Sequence, residues 1–268
     1  MPQLAVIMPA YNAEKTIRRA VDSLLRNAVP FDLLIIDDGS RQPVAEVLGP
    51  LPPSIQILRL DRNLGVVGAR NAALRQLLAK DYDFIAMQDA DDVSYPERFA
   101  RQIAFLNANP GVALVGTWAR YIDETTGEVV LPYRPPCDPA AIREALYVNN
   151  CTVHSSWMVR AQALRKAGPY SESYPLGEDY EMLRRMSGEF EFANLPEYLV
   201  DYTISMSGLS MQKRRRQLLD RLRIQVRYFD PWRREAWLGV ARTAILFAVP
   251  LRVLAAYRAE HGWRIQHS

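Results

Sequence analysis

Three carboxylates stand within four residues in the segment Asp89-Ala90-Asp91-Asp92, directly after an apolar run at residues 84–87. Like charges this close repel one another, so folding them together is costly unless a cation is present. A solvated acidic turn is the simplest explanation of a short acidic cluster. Here, however, a predicted buried strand leads directly into the cluster, and this position favours a functional explanation. The placement favours a divalent ion that bridges Asp91 to a diphosphate.

A second acidic pair, Glu178-Asp179, follows Gly177 where the residue pattern predicts the start of a helix. Acidic residues are common at such positions because they complement the positive end of the helix dipole. The same position suits a general base held near the helix start, with its neighbour tuning it. The pair alone does not decide between these two interpretations.

Two further polar clusters, Tyr11-Asn12 and Asp37-Asp38, each follow an apolar run. Asp is a common turn residue, so simple turns are one explanation of the second cluster. Glycines near Arg70 permit a ligand to approach the backbone, and Arg70 itself can meet a phosphate. The fingerprints of phosphate loops and of dinucleotide-binding folds are absent from the sequence.

Short apolar runs predict the strands that position these clusters, at residues 4–8, 33–36, 55–60 and 84–87. Apolar residues at helical spacing lie between them, and Asn12 is the predicted N-cap of the first helix, with Glu14 in its first turn. Alternating strands and helices predict an α/β fold with a mainly parallel sheet. In such sheets the ligand lies at the carboxyl ends of the strands, where three of the polar clusters meet.

After residue 92 the pattern changes to a mixture of helices and strands that we expect to close over the first half. Strands at 112–118 and 128–130 flank a turn at Gly127, and Asp138 caps a helix that runs to about Tyr147. Four more elements are predicted: a helix opened by Pro96, a strand at 156–159, a helix ending at Gly168 and a helix from near Glu178.

Composition narrows the chemistry of any metal site. The 268 residues are 49% hydrophobic, enough for a sizeable core. Three histidines exclude a His-rich metal site, and two cysteines without a CxxC spacing argue against zinc and against a disulfide framework. A metal must therefore be held mainly by carboxylates, which favours Mg²⁺ or Mn²⁺. The N-terminal segment lacks the features of a signal peptide, so we expect a cytoplasmic location.

The C-terminal region is basic. Residues 213–268 carry 13 Lys and Arg against 4 Asp and Glu, a net charge of +9, whereas residues 1–212 carry −6. This asymmetry, with the apolar run at 244–249, predicts interfacial helices that contact an anionic membrane at its inner face. Helices packed on the catalytic domain, or on a second subunit in a homodimer, are the alternative. We expect no nucleic acid partner, because no recognised binding motif accompanies the charge.

Taken together, five segments resemble family 2 glycosyltransferases of the GT-A fold in order and approximate spacing, over roughly residues 3–210. The segments are Val6-Ile7-Met8-Pro9-Ala10-Tyr11-Asn12, Ile35-Ile36-Asp37-Asp38-Gly39-Ser40, Asn63-Leu64-Gly65 with Ala69-Arg70-Asn71, Asp89-Ala90-Asp91-Asp92, and Gly177-Glu178-Asp179-Tyr180. The resemblance implies a Rossmann-like mixed sheet flanked by helices. We interpret 1–92 as a nucleotide-binding half, 93–210 as an acceptor-binding half and 211–268 as a helical C-terminal region.

The resemblance also implies roles for the nucleotide end of the site. Pro9, Tyr11 and Glu14 would line the nucleotide pocket. Asp38 would contact the base, typically uracil, with Asp37 beside it. The implied donor is therefore a nucleotide sugar, most simply a UDP-sugar.

At the reacting end, Arg70 would lie near the ribose or diphosphate, and Ala90 separates the two acids of the family's DxD pair. Asp91, with Asp89, would coordinate Mn²⁺ or Mg²⁺ bound to the donor diphosphate. Asp179, with Glu178 beside it, would be the catalytic base of an inverting transfer. The implied acceptor is a saccharide or a lipid-linked saccharide, in cell-surface polysaccharide or glycolipid synthesis.

One segment departs from the family pattern. Many members carry Tyr-Arg-x-His-x-x-Ser after the last strand, where Thr203 and Ser205 stand here at the Arg and His positions. We therefore expect weaker metal binding or a coordination shell completed by water. We assign His154 and Ser205 to the acceptor side or to a lid over the donor. Two alternatives stay open, a nucleotidyltransferase on a related sheet and a non-catalytic carbohydrate-binding scaffold.

Overall fold

Four parallel strands form the first half of the central sheet in a computed structural model that describes residues 3–204 and 214–248. They lie in the order β3-β2-β1-β4. Their bounds are Leu4–Ala10 for β1, Asp32–Asp37 for β2, Ile55–Arg59 for β3 and Phe84–Met87 for β4. All four predicted strands are confirmed. Their sequences are continuous apolar runs because helices cover both faces of a parallel sheet, so the side chains on both faces are buried.

Helices α1 (Ile17–Leu25), α2 (Val44–Leu48) and α3 (Gly65–Leu77) connect these strands. The prediction that Asn12 caps α1 is wrong, since α1 begins five residues later. Asn12 has a left-handed φ of 50°. Its backbone N–H donates to Ser40 Oγ (3.1 Å), and its Oδ1 accepts from the Arg41 N–H (2.9 Å). Asn12 thus ties two strand-end loops together instead of starting a helix.

The second half extends the same sheet with strands of both directions. The order continues from β4 through β8, β6, β9 and β5, and β7 pairs with β6. β8 runs antiparallel to both neighbours, whereas β6 and β9 are parallel. The strand bounds are Val93–Ser94 for β5, Val112–Asp123 for β6, Val129–Tyr133 for β7, Met158–Arg160 for β8 and Glu191–Ile204 for β9.

Four helices belong to this half: α4 (Arg98–Ala108), α5 (Pro139–Val148), α6 (Ala161–Ala167) and α7 (Glu178–Met186). The predicted cap of α5 is confirmed, because Asp138 accepts from the N–H groups of Ala140 and Ala141. The predicted end of α6 at Gly168 and the start of α7 at Glu178 are confirmed as well. A 3₁₀ turn, His154–Ser156, precedes β8.

The core forms two layers, one on each face of the sheet. Along β1, Ala5 and Ile7 face one layer, while Leu4, Val6 and Met8 face the other. Successive side chains of a strand point to opposite faces, so one apolar run serves both layers. Buried on both sides, the strands hold their carboxyl ends in fixed positions.

Two C-terminal helices, α8 (Arg214–Arg227) and α9 (Arg234–Ala248), pack on the body of the molecule. Ile224 of α8 belongs to the core, and Gln225 Nε2 donates to the Val148 carbonyl at 2.8 Å. Gly239 of α9 lies against the backbone of Tyr147. No helix within the described residues is long and apolar enough to cross a membrane. The predicted helical C-terminal region runs to residue 268, and its part beyond residue 248 lies outside the described residues.

Candidate functional site

A cleft of about 820 Å³ opens at the carboxyl ends of β1, β2 and β4. Most of the predicted nucleotide and metal residues line it: Pro9, Tyr11, Glu14, Asp38, Arg70, Asp89, Ala90 and Asp91. The parallel pairing of β2 with β1 and of β1 with β4 brings their ends to one edge of the sheet. Residues separated by up to 115 positions in the sequence, from Pro9 to Glu124, thus meet around one space.

The two acids after β2 have different surroundings. Asp38 lines the cleft, and its Oδ1 accepts from the Leu64 N–H at 2.7 Å. Burial raises the pKa of Asp38. Asp37 points away, and its buried carboxylate accepts from the N–H groups of Ser40 (2.9 Å) and Val44 (3.1 Å). Burial acts to raise the pKa of Asp37, but these hydrogen bonds outweigh it and the net shift is downward. Asp37 therefore fixes the loop that carries Asp38.

The acidic segment after β4 also divides. Asp92 is fully buried, and its carboxylate accepts from the Thr203 N–H (2.7 Å) and from the Ser155 hydroxyl. It fastens the end of β4 to β9 and to the 3₁₀ turn. Asp89 and Asp91 remain at the cleft. The three carboxylates form one cluster in the sequence, but the structure divides them. Asp92 joins strands together, whereas Asp89 and Asp91 face the cleft.

Asp91 is electrostatically strained where it lies. Burial and the nearby Asp89 carboxylate raise the pKa of Asp91 to about 6. In the described parts of the chain no group of three His, Cys, Asp or Glu side chains is arranged to hold a metal ion. Mg²⁺ is commonly bound by one or two carboxylates, with substrate phosphates and water completing its shell. Asp89 and Asp91 fit that kind of site.

Arg70 joins the donor side of the site to the acid pair of α7. Its buried guanidinium donates to Asp89 Oδ1 at 3.0 Å and to Glu178 Oε1 at 2.5 Å. Both contacts are ion pairs with little solvent around them. Arg70 borders the cleft, yet its charge is already shared between two protein carboxylates. It positions Asp89 and Glu178 relative to each other.

The acid pair itself is asymmetric. Glu178 is buried against Arg70, whereas Asp179 is partly exposed. Asp179 Oδ2 accepts from Asn150 Nδ2 at 2.7 Å, and its Oδ1 accepts from the Tyr180 N–H at 2.6 Å. Burial raises the pKa of Glu178 to about 7 although Arg70 opposes the rise, and burial also raises the pKa of Asp179. Asp179 is thus the less buried acid of the pair, and neither acid lines the cleft itself.

The family model described as Glycosyl transferase family 2 matches residues 5–168. The chain belongs to glycosyltransferase family 2. The amylovoran biosynthesis glycosyltransferase AmsE of Erwinia amylovora is 30% identical over 220 residues, which are 79% of this chain and 79% of AmsE. Family membership makes the protein a glycosyltransferase, the predicted class of enzyme.

Solved structures show the same fold as this glycosyltransferase. TarS of S. aureus, in complex with UDP-GlcNAc, matches with a TM-score of 0.68 at 18% identity, covering 96% of this chain and 73% of that one. The mannosyltransferase PcManGT of Pyrobaculum calidifontis, in complex with GDP-Man and Mn²⁺, matches with a TM-score of 0.64 at 15% identity, covering 97% and 79%. The GT-A type sheet with flanking helices is confirmed.

The remaining predicted residues of the glycosyltransferase lie away from the cleft surface or cannot be placed. His154 is buried, and its Nε2 lies 2.8 Å from the Tyr170 hydroxyl. Burial, together with Arg70, lowers the pKa of His154 well below its ordinary value, so the ring is neutral. Ser205 lies outside the described residues.

Thr203, which stands where many family members have Arg, closes the end of β9 onto the acidic segment. Its hydroxyl donates to the Asp91 carbonyl at 2.6 Å. Arg19 of α1 reaches the same place, donating to the Asp91 carbonyl (2.9 Å) and to the Thr203 hydroxyl (3.3 Å). A guanidinium from another element thus fixes the Asp91 backbone.

Sequence reasoning missed two contributors to the site. Glu124, in the turn between β6 and β7, lines the cleft beside Asp91. Asn150 holds Asp179 and is itself held, since its Oδ1 accepts from the N–H (2.9 Å) and hydroxyl (2.8 Å) of Thr152. Both lie in loops whose residue types are ordinary for loops. No local signal marked them, because long-range contacts alone bring them to the site.

Proposed function

We propose that this glycosyltransferase moves a sugar from a nucleoside diphosphate donor, a UDP-sugar, to an acceptor hydroxyl with inversion at the anomeric carbon. The observation that carries the proposal is one connected chain of charge. Asp91 and Asp89 face the cleft, Arg70 joins Asp89 to Glu178, and the half-buried Asp179 stands beside Glu178. A donor site and a base are therefore held in one rigid frame.

For the donor, we assign the nucleotide to the part of the cleft between β1 and β2. Pro9, Tyr11 and Glu14 line it on one side and Asp38 on the other. Asp38 is placed to accept a hydrogen bond from the base, with Asp37 fixing its loop. The complex of TarS with UDP-GlcNAc supports a nucleotide-sugar donor, since that fold is shared.

For the leaving group, we propose that Asp91 and Asp89, beside Ala90, hold Mn²⁺ or Mg²⁺ together with the donor diphosphate. The ion would supply positive charge that stabilises the departing nucleoside diphosphate. The Mn²⁺ in the complex of PcManGT supports this assignment. Arg19 and Thr203 donate to the Asp91 carbonyl and so hold the backbone that carries this carboxylate.

For the acceptor, we propose that Asp179 removes the proton of the attacking hydroxyl. Asn150 and the Tyr180 N–H hold both carboxylate oxygens and favour the ionised form that a base requires. The oxygen then attacks the anomeric carbon from the face opposite the diphosphate. One displacement inverts the configuration and needs no covalent sugar–enzyme intermediate.

The acceptor in this proposal is a saccharide or a lipid-linked saccharide that the half at residues 93–210 binds. AmsE, named for amylovoran biosynthesis, supports a role in cell-surface polysaccharide or glycolipid synthesis. We propose a cytoplasmic location for this reaction. Family membership favours transfer over the two alternatives raised by the sequence, a nucleotidyltransferase and a non-catalytic scaffold.

A donor screen tests the proposal. Nucleotide sugars and nucleoside triphosphates are offered with Mn²⁺, with Mg²⁺ or with a chelator, and release of nucleoside diphosphate or pyrophosphate is measured. We expect release from one or a few UDP-sugars, only with metal. Turnover of a triphosphate to pyrophosphate would overturn the assignment, and so would sugar transfer undiminished by the chelator.

A further inference from the structure

The hairpin of α8 and α9 leaves a broad apolar surface open to solvent. Trp232, at its tip, is 92% exposed, and Trp237, Leu238 and Ile245 of α9 are each at least 60% exposed. Large aromatic side chains are rarely this exposed on a protein surface unless a binding partner covers them. We define the α9 face by Trp232, Trp237, Leu238, Ala241 and Ile245.

Helical geometry separates this face from the side of α9 that packs on the body. Ala236, Gly239 and Thr243 are buried, and Gly239 lies against the Tyr147 backbone so closely that a Cβ would meet its carbonyl oxygen. The α9 face lies on the other sides of the helix. Packing on α5 and α8 therefore uses small residues and leaves the large apolar ones unburied.

Basic side chains are exposed on the helices that carry the α9 face. Arg233 and Arg234 stand at the start of α9 beside Trp232, with Arg234 3.7 Å from the Glu235 carboxylate, and Arg215, Arg216 and Arg242 are exposed on the same two helices. The whole region from residue 213 carries a net charge of +9. Exposed tryptophan beside arginine and aliphatic side chains suits the boundary between lipid headgroups and acyl chains.

We propose that the α9 face docks peripherally on an anionic lipid bilayer, with its apolar side chains in the headgroup boundary and the arginines on lipid phosphates. The positive charge of the helices favours an anionic bilayer over a second copy of the chain. A second copy of the chain would bring a like-charged surface to the same place. The segment at 249–268 adds three further arginines and one acidic residue, so it too increases the positive charge.

The docking surface is fastened to the acceptor side of the site. Asp220 of α8 accepts from the Leu176 N–H at 3.2 Å, and Ile224 packs against Gly177, directly before the acid pair. Arg184 of α7 donates to the Tyr228 carbonyl at 2.8 Å. A bilayer bound at α9 is thus held in a fixed relation to Asp179, which goes beyond the proposed function by placing acceptor transfer beside a membrane.

Vesicle sedimentation of the full chain tests the docking. One set of vesicles is phosphatidylcholine alone, and the other is equal parts phosphatidylcholine and phosphatidylglycerol. We expect binding to the second set that weakens with salt. Arg233→Gln with Arg234→Gln should lower the partition coefficient roughly 30-fold, and Trp232→Ser about tenfold. Arg75→Gln with Lys80→Gln, and Val129→Ser, are matched changes on distant surfaces and should leave it unchanged.

Any of the following outcomes would contradict the proposal. Equal binding to both vesicle sets, or no binding to either, removes the anionic bilayer as the occupant. Equal losses in the distant variants would mean that total charge, not the α9 face, drives the association. A chain that is dimeric in solution, and becomes monomeric on Trp232→Ser, would assign the face to a second copy. The measurement uses no donor, so it stands or falls independently of the transfer reaction.

Discussion

Asn150 shows how a single amide can set the chemistry of a carboxylate. Thr152 donates twice to its Oδ1, so its Nδ2 is the atom that faces Asp179. Thr152 is anchored in turn, because its hydroxyl accepts from Trp157 Nε1 at 2.8 Å. An amide fixed in this way can only donate to the carboxylate, and it stabilises the ionised form of Asp179, the proposed base.

We therefore predict that Asn150→Ala moves the acid limb of the pH profile of kcat/KM to higher pH. The Asn150 hydrogen bond lowers the pKa of Asp179, so its loss raises that pKa, and the ionised base appears only at higher pH. A lost hydrogen bond to a charged group corresponds to about a tenfold or larger fall in kcat/KM below the limb. The measurement is kcat/KM against pH.

Asn149→Ala is the matched control for this prediction. Asn149 is the neighbouring amide, and only its backbone N–H is hydrogen bonded among the described residues, to the Ala145 carbonyl. Its removal should leave the profile in place. An unmoved limb in the Asn150 variant would show that Asn150 does not act through Asp179.

At the scale of elements, the loop after β2 depends on a close approach that only glycine allows. Gly39 has a φ of +71°, and a Cβ there would lie 2.9 Å from the backbone of Arg62 and Asn63. Gly127 has the same φ of +71°, but a Cβ there would meet nothing within 4 Å. The two glycines share this φ and differ in crowding.

We predict that Gly39→Ala lowers the free energy of unfolding more than Gly127→Ala does. Both changes add about 1 kcal/mol of backbone strain, and Gly39→Ala adds roughly 1–3 kcal/mol of overpacking. Urea unfolding of the two variants measures the difference. Donor affinity should also fall for Gly39→Ala, because the crowded loop carries Asp38. Equal losses in both variants would contradict the close approach.

Arg70 links two elements, α3 and α7, and we predict that Arg70→Gln destabilises the fold by about 3–5 kcal/mol at pH values above 7, where Glu178 is ionised, because a buried charge loses its partner. Arg70 opposes the rise in the pKa of Glu178, so without it Glu178 stays protonated to higher pH. The loss should therefore shrink as the pH falls below about 7, where Glu178 is neutral in either protein.

Urea unfolding across this pH range measures that loss, and Arg75→Gln is the control. Arg75 stands on the same helix but is exposed, so its replacement should have little effect at any pH. A loss for Arg70→Gln that does not change with pH would contradict the charge-based explanation. Restored stability in Arg70→Lys would indicate that charge alone, without the two-pronged guanidinium contact, suffices.

The elements that could be predicted from the sequence are those with a strong local signal. Apolar runs marked β1 to β4, and Asp138 and Gly168 marked a helix start and a helix end. β5 has only two residues, and β9 pairs along its whole length with the distant β6. Such pairing depends on contacts far apart in the chain, so no local pattern specified it.

Within the site, the presence of acids at the strand ends could be predicted from the sequence. Which acid of each pair is structural and which faces the cleft could not. Residue types alone grouped Asp37 with Asp38 and Asp92 with Asp91. Hydrogen bonds from Ser40, Val44, Ser155 and Thr203 commit one acid of each pair to structure. Which carboxylate faces solvent depends on the register of neighbouring strands, and the sequence does not display it.

At the scale of the whole molecule, the sheet edge carries the proposed donor site, α7 carries the proposed base, and α8 packs against α7. Arg70 spans the first two parts through Asp89 and Glu178. Because each part rests on a different set of strands or helices, donor binding and proton removal should be separable by mutation. That separation follows from the central claim, that one acid serves the metal and another the acceptor.

Titration calorimetry of the chosen UDP-sugar, with and without Mn²⁺, tests this claim most directly when turnover is followed in parallel. We predict that Asp91→Asn loses the metal-dependent part of binding. Asp179→Asn should bind donor and metal as the unaltered chain does, while its turnover falls by about 10²–10⁴-fold. Metal-dependent binding retained in Asp91→Asn, or full turnover in Asp179→Asn, would contradict the account.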